Sequence, residues 1–292
     1  MIKYSIKDLE KITGIKAHTI RIWEKRYGIV KPSRTETNIR FYSDEDLRHL
    51  MNVAILNKFG YKISNIQSMS VAEVAKSVME LSNQDVDNDH LVDNLVMAMI
   101  ELDEQRFDKI TSSAIIKNGF DDTFEHLIRQ FLEKIGVLWQ TGSVNPAQEH
   151  FISQLIRQKL ILAIDGQHDQ KINHKTFLLF LPEHEYHEMA LLYLYYLIRK
   201  AGHQVIYLGQ NVPLVNLKDI FEIHKIDFLL TSITANLSTE EISSFFEEFK
   251  LLYGNKQILM GGSCLQHNSE LLPANATFFK SINEFTDFIS KL

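Results

Sequence analysis

A chain of 292 residues with 31 Lys and Arg, 37 Asp and Glu and a single cysteine, Cys264, has room for two or three domains at roughly 100–150 residues each. Its 45% hydrophobic and 23% charged residues exclude a disordered or membrane-embedded protein. One cysteine excludes a disulfide framework and a cysteine-built zinc site. No run approaches the roughly 18 apolar residues of a membrane span, and no apolar signal core opens the chain. The expectation is a cytoplasmic protein with no membrane partner.

The net charge of −6 is unevenly divided. Residues 1–70 hold 13 Lys and Arg against 7 Asp and Glu, and the other 18 and 30 lie beyond them. A basic head on an acidic body suits a phosphate-binding module joined to a body that avoids nucleic acid.

In chain order, residues 5–14 read as a short helix with Ser5 as N-cap, Ile6, Leu9 and Ile12 on one face, and Gly14 as the stop. After a tight turn a second helix is expected over 17–26, with Ile20 and Trp23 inward. That is a helix-turn-helix. Its outer face carries His18, Thr19, Arg21, Lys25 and Arg26, suited to a major groove where Arg reads guanine and Lys or Thr holds phosphate. Residues 29–42 then suit a β-hairpin wing turning at 36–38, with Arg34, Arg40 and Tyr42 near the DNA. Ser43 with Asp46 opens a further helix by a capping box, and Gly60 closes it.

The run Tyr4-Ser5-Ile6, Thr13-Gly14-Ile15, Thr19-Ile20-Arg21, Trp23-Glu24-Lys25-Arg26-Tyr27-Gly28, Arg34, then Asn38-Ile39-Arg40-Phe41-Tyr42-Ser43 and Asp46-Leu47 resembles the head of MerR-type regulators over residues 2–70. The resemblance implies a double-stranded DNA operator, self-association as a dimer or tetramer, and contact with RNA polymerase. The Trp-Glu-Lys-Arg-Tyr-Gly version is similar to the subgroup whose bodies bind cobalamin.

Residues 73–90 read as a linker, polar and acidic over 82–90. From 91 to about 170, apolar residues recur every three or four positions, with breaks near 103–104, 118–119 and 141–143. Four helices in a bundle follow. From residue 175 the period changes. The continuous apolar run 176–181 ends at Pro182 and is followed by a helix over 189–200; further strands fit 204–209, 227–231 and 257–260, with helices near 215–224, 239–250 and 282–292. Such alternation predicts a flavodoxin-like sheet of five parallel strands over 175–292. Segments 183–188, 209–213, 231–237 and 261–263 then share the rim at the carboxyl ends of the strands, where such sheets bind ligands.

On that rim lies Glu185-x-His187-x-x-Ala190. An imidazole there can ligate a metal while a carboxylate two residues earlier accepts its other N–H. The adjacent His184 reads as an ordinary surface histidine. With Tyr207-Leu208-Gly209-x-x-Val212-Pro213 and Gly261-Gly262, the pattern resembles cobalamin-binding domains. That resemblance makes His187 the lower cobalt ligand, backed by Glu185. Ser232, Thr234, Gly261 and Gly262 line the path of the detached nucleotide tail. Trp139, nine intervening residues, then Glu149-His150 looks like the motif of the helical cap, with Trp139 over the upper axial group and Glu149 and His150 bonding that group or the corrin edge.

Two residues depart from this pattern. Ala190 replaces a Gly, so an added methyl is expected to crowd the loop. Gln140 stands where light-responsive relatives can carry a His, and Gln is a poor cobalt ligand, which argues against a photoreceptor response by that route.

The sequence therefore predicts a multidomain α and α/β protein: a winged helix-turn-helix over 1–72, the linker, a four-helix bundle cap, and a flavodoxin-like five-stranded parallel sheet. Its function is transcriptional regulation, with adenosylcobalamin setting oligomeric state and DNA binding. The rival readings are a regulator that uses the same body for protein contacts without cobalamin, and a corrinoid carrier protein.

Overall fold

The computed structural model describes residues 3–35, 37–81, 88–140, 143–167, 175–235, 238–266 and 271–292. It divides into two compact units, Met1–Ile156 and Arg157–Leu292.

In the first unit, helix α1 (Ile6–Thr13) is closed at both ends as its sequence dictates. Ser5 and Asp8 form a reciprocal capping box, and Gly14 takes a left-handed φ of 72°. Helix α2 (Ala17–Ile22) buries Ile20. The turn that follows, Trp23–Tyr27, widens into a π-helical segment that buries Trp23 and stops at Gly28, φ 64°. The expected second helix is thus present, but its last turn is wider than α geometry. The wing is short: β1 (Ser33–Arg34) pairs antiparallel with β2 (Arg40–Phe41). Arg34 Nη1 donates to Asn38 Oδ1 at 2.7 Å across the turn. Glu36, part of that expected turn, lies outside the described residues.

Helix α3 (Asp44–Lys58) opens on the Ser43–Asp46 capping box. Residues 53–56 are buried on every side because α1, the short α4 (Ile63–Ile66), α5 (Val71–Leu81) and α6 (Asn88–Glu101) all pack on this helix. Helix α5, with Val74 and Val78 buried, corrects the linker expected from residue 73. Two valines one helical turn apart were enough to dock that segment on α3. Residues 82–87 lie outside the described set.

The expected bundle is α6, α7 (Glu104–Asn118), a continuous rod of α8 (Phe120–Thr123), a π-helical turn and α9 (Arg129–Gln140), and α10 (Pro146–Asp165). Its breaks fall as the sequence predicts, although Thr141 and Gly142 lie outside the described residues. Buried Asp93 on α6 joins it to the head by pairing with Lys58 of α3 and with Lys134 of α9, the latter at 2.6 Å.

The second unit holds five parallel strands: β3 (Thr176–Pro182), β4 (Gln204–Val212), β5 (Phe228–Ser232), β6 (Gln257–Gly261) and β7 (Ala276–Phe278), in spatial order β4-β3-β5-β6-β7. The connecting helices are α11 (Met189–Lys200), α12 (Leu217–Ile223), α13 (Thr239–Tyr253) and α14 (Ser263–Gln266), and α15 (Ile282–Ile289) follows the last strand. Phe177 to Leu181 of β3 are wholly buried, as a central strand covered on both faces requires. The strand order reverses between β3 and β5. Ligands of doubly wound sheets collect at such a switch point, outside the carboxyl ends of the strands.

Candidate cobalamin site and DNA-binding face

The loop after β3 runs directly into the switch point. Glu185, 2% exposed, fills it with a carboxylate whose two oxygens serve two different loops. Oε2 accepts the backbone N–H of Thr234 at 2.7 Å and of Ala235 at 2.8 Å, just past β5. Oε1 accepts the N–H of Tyr186 and of His187, each at 3.0 Å, and the ring Nδ1–H of His187 at 2.6 Å. Burial by itself pushes this carboxyl up, but the bonds from the His187 ring and from the Ala235, His187 and Thr234 amides outweigh it and hold the pKa at about 2. A fixed anion on Nδ1 keeps the ring proton there and makes Nε2 the nitrogen that could coordinate a metal. The His187 side chain is 63% exposed while its partner is 3% exposed. The pair is thus an exposed imidazole on a buried carboxylate anchor.

Ser232, 2% exposed, ends β5 in register with Gly261 at the end of β6. A Cβ on Gly261 would meet nothing within 4 Å, so its absence borders open space. Gly262 has φ 107°, and a Cβ there would lie 2.1 Å from the Ile233 carbonyl oxygen; no other residue fits. The hydroxyl of buried Thr231, beside Ser232, has no hydrogen-bond partner among the described residues. Thr234 contributes its backbone N–H to Glu185, a role the motif did not announce. His184 is exposed at φ 66°. Ala190 is exposed in the first turn of α11, which corrects the expected crowding of the loop within the folded chain. Ala190→Gly should therefore change cobalamin affinity by less than about threefold in an absorbance titration, since no overpacking is relieved.

In the first unit, Trp139 is 47% exposed near the end of α9, unlike a bundle-core aromatic. Glu149 begins α10, with Oε2 at 3.2 Å from Nδ1 of exposed His150. The side chain of Gln140 lies outside what is described.

On the head, His18, Arg21, Lys25, Arg26 and Arg34 are exposed, and Thr19 is partly exposed. Arg40 is anchored by Nε to Glu24 Oε1 at 3.2 Å. Tyr42 is a correction: it is fully buried, its backbone pairs with Tyr4, and its hydroxyl lies 3.5 Å from Glu24. Burial, then the Glu24 charge, pushes its hydroxyl up to about 12. Tyr42 packs the base of the wing instead of reaching for DNA. Through Arg40 and Tyr42, Glu24 ties the wing to the recognition helix.

Sequence reasoning missed two residues near His187, Glu188 and Arg157, and the role of a third. Glu188, 9% exposed, accepts Arg157 Nε at 2.5 Å and the Tyr207 hydroxyl at 3.0 Å. Tyr207 opens the motif over 207–213, but only the fold brings its hydroxyl to Glu188 and Arg157.

Residues 4–73 match the model of the MerR helix-turn-helix regulatory proteins, and residues 91–163 match the B12 binding domain. Head, bundle and sheet together define a DNA-binding transcriptional regulator with a B12-binding body. Among its relatives, the HTH-type transcriptional repressor CarH of Myxococcus xanthus is 27% identical over 82% of this chain and 81% of its own. The repressor CarA of the same organism is 24% identical over 96% and 93%. In fold, the chain is similar to the monomethylamine corrinoid protein of Methanosarcina barkeri, with a TM-score of 0.58 and 15% identity over 70% of this chain and 99% of that one.

The residues present fit a corrinoid. Among the described residues no group of three or more His, Cys, Asp or Glu could hold a bare metal ion, whereas a macrocycle that brings its own equatorial nitrogens needs only one imidazole from below. His187 supplies it. The unpartnered Thr231 hydroxyl and the open space at Gly261 offer room for polar groups of a tail.

Proposed function

We propose that the protein is a non-enzymatic, cytoplasmic transcriptional regulator that binds a double-stranded operator as a dimer or tetramer. Adenosylcobalamin, held by His187, favours the DNA-binding assembly. The observation that carries this reading is the Glu185–His187 pair at 2.6 Å, built on buried backbone bonds at the switch point and preceded by a DNA-binding head on the same chain. The names of the two repressor relatives support repression as the sign of control. RNA polymerase is the further macromolecule with which a promoter-bound MerR-type head would make contact. Trp139, Glu149 and His150 are assigned to the upper axial group and the corrin edge, and Ser232, Gly261 and Gly262 to the tail. Bound cobalamin supplies a cobalt–carbon bond whose presence or loss distinguishes two ligation states, and the protein's part is to hold one axial nitrogen and translate its position into assembly.

The test is a titration with adenosylcobalamin, followed by visible absorbance and light scattering. Wild type should bind and shift to a larger assembly, and His187→Ala should show the spectrum of cobalt without a nitrogen base below. A strictly monomeric protein that binds operator as one copy would contradict the proposal, because one winged head makes too small an interface for useful affinity.

On the head, Arg21→Ala should weaken operator binding by about 1–3 kcal/mol and relax sequence preference. Arg40→Ala should weaken all sequences alike and flatten the salt dependence. Gel shifts at fixed and varied salt check both. Unchanged binding in the two variants would disprove the docking face.

A further inference from the structure

Glu188 sits at the N-cap position of α11, yet its carboxylate makes no cap bond there. Here it turns away to Arg157 and Tyr207. Tyr207 lies on β4, and its ring stacks on Tyr195 of α11 with centroids 5.3 Å apart, so the hydroxyl is held in place. Arg157 belongs to α10. Glu149, Ser153 and Arg157 are spaced by four residues along that helix and share one face. Ser153 Oγ donates to Glu149 Oε1 at 2.6 Å.

We infer that Arg157 and Glu188 form a positioning link that fixes the loop carrying His187 against the last turns of α10, so that a change in the axial ligation of His187 is passed to that helix. The link rests on the cobalamin reading above. His187 is held from two sides. Glu185 fixes its tautomer, and the peptide to Glu188 fixes where the ring stands. Glu188 is itself clamped between a cation on α10 and a phenol on β4, with its side chain only 11% exposed. A displacement of the His187 ring would carry the adjoining Glu188 backbone with it and load the bond at 2.5 Å to Arg157 on α10.

The test uses the full-length protein with Arg157→Ala, Arg157→Lys and Tyr207→Phe. In the cobalamin-free state, the ring nitrogen resonances of His187 should shift or broaden in Arg157→Ala, and Arg157→Lys should restore them in part. With cobalamin reduced to the cobalt(II) state, electron paramagnetic resonance reads whether nitrogen ligates the metal. Arg157→Ala should lower the His-ligated to unligated ratio by about tenfold, the low end of what loss of an outer partner does to a metal site, and Tyr207→Phe by less. Both variants should keep cooperative unfolding by circular dichroism. Wild type and Arg157→Ala with the same ratio and the same resonances would overturn the link while leaving cobalamin binding intact. Wild type that binds no cobalamin would overturn the link together with the reading beneath it. Should Arg157→Ala fail to fold, Tyr207→Phe carries the test, and an unchanged ratio in that variant overturns the link.

Discussion

Gly262→Ala should unfold the second unit at a temperature more than about 10 °C below wild type, a loss of about 3–5 kcal/mol. Two costs combine. The backbone φ of 107° is one that L side chains rarely adopt, and the new methyl would sit 2.1 Å from the Ile233 oxygen, with the Ile233 carbon and nitrogen at 2.6 and 2.7 Å. That carbonyl cannot yield easily, because the Ile233 N–H donates to Gly261 O at 3.0 Å and its oxygen accepts from Cys264 at 3.2 Å. Gly261→Ala is the control. Its methyl would enter open space, so stability should change by less than about 1 kcal/mol, while cobalamin binding should weaken if the tail passes there. Thermal unfolding of the two variants side by side checks the prediction, and equal melting temperatures would refute it.

Glu185→Ala should have the next largest effect, on stability and on metal affinity together. The substitution strips the Tyr186, His187, Thr234 and Ala235 amides of one shared acceptor at a buried position. Leaving such donors unmatched costs about 1–3 kcal/mol for each that water cannot reach. Losing the partner of His187 Nδ1 should weaken cobalamin binding by about 10–100-fold without abolishing it. The acid sensitivity of the wild type follows from the same bonds. The folded-state pKa lies near 2, below the ordinary 4.5. The stabilisation is therefore complete above about pH 5, amounts to about 3 kcal/mol, and is lost as pH falls toward 2. Glu185→Ala should flatten that part of a stability profile measured by urea unfolding. An unaltered acid limb would mean that another group governs it.

The sequence made two helix starts legible from the side chains that cap them. Ser5 caps α1 and Ser43 with Asp46 forms the expected box on α3, whereas the Ser238–Glu241 box that opens α13 went unread. It also showed β3, whose continuous apolar run is what a doubly covered strand needs. It did not locate β7, whose three residues Ala276-Thr277-Phe278 are too few to show a period. It misplaced Tyr42, because an aromatic with a hydroxyl suits a DNA contact and a buried hinge equally well until its neighbours are known. The Glu185-x-His187 pair was readable, but its anchoring was not. Two of the bonds that hold Glu185 come from main-chain amides beyond β5, and an amide leaves no mark in the residue code. Arg157 and Glu188, thirty-one positions apart, meet only because α10 and the switch-point loop converge.

The central claim, that a corrinoid on His187 controls DNA binding, is tested most directly by a gel shift of full-length wild type with operator DNA, with and without adenosylcobalamin in the dark, alongside His187→Ala. Wild type should bind operator more tightly with the cofactor than without it, and His187→Ala should lose that difference while keeping its basal affinity. Identical operator affinity with and without cobalamin, in a wild-type protein whose absorbance shows the corrinoid bound, would contradict the account.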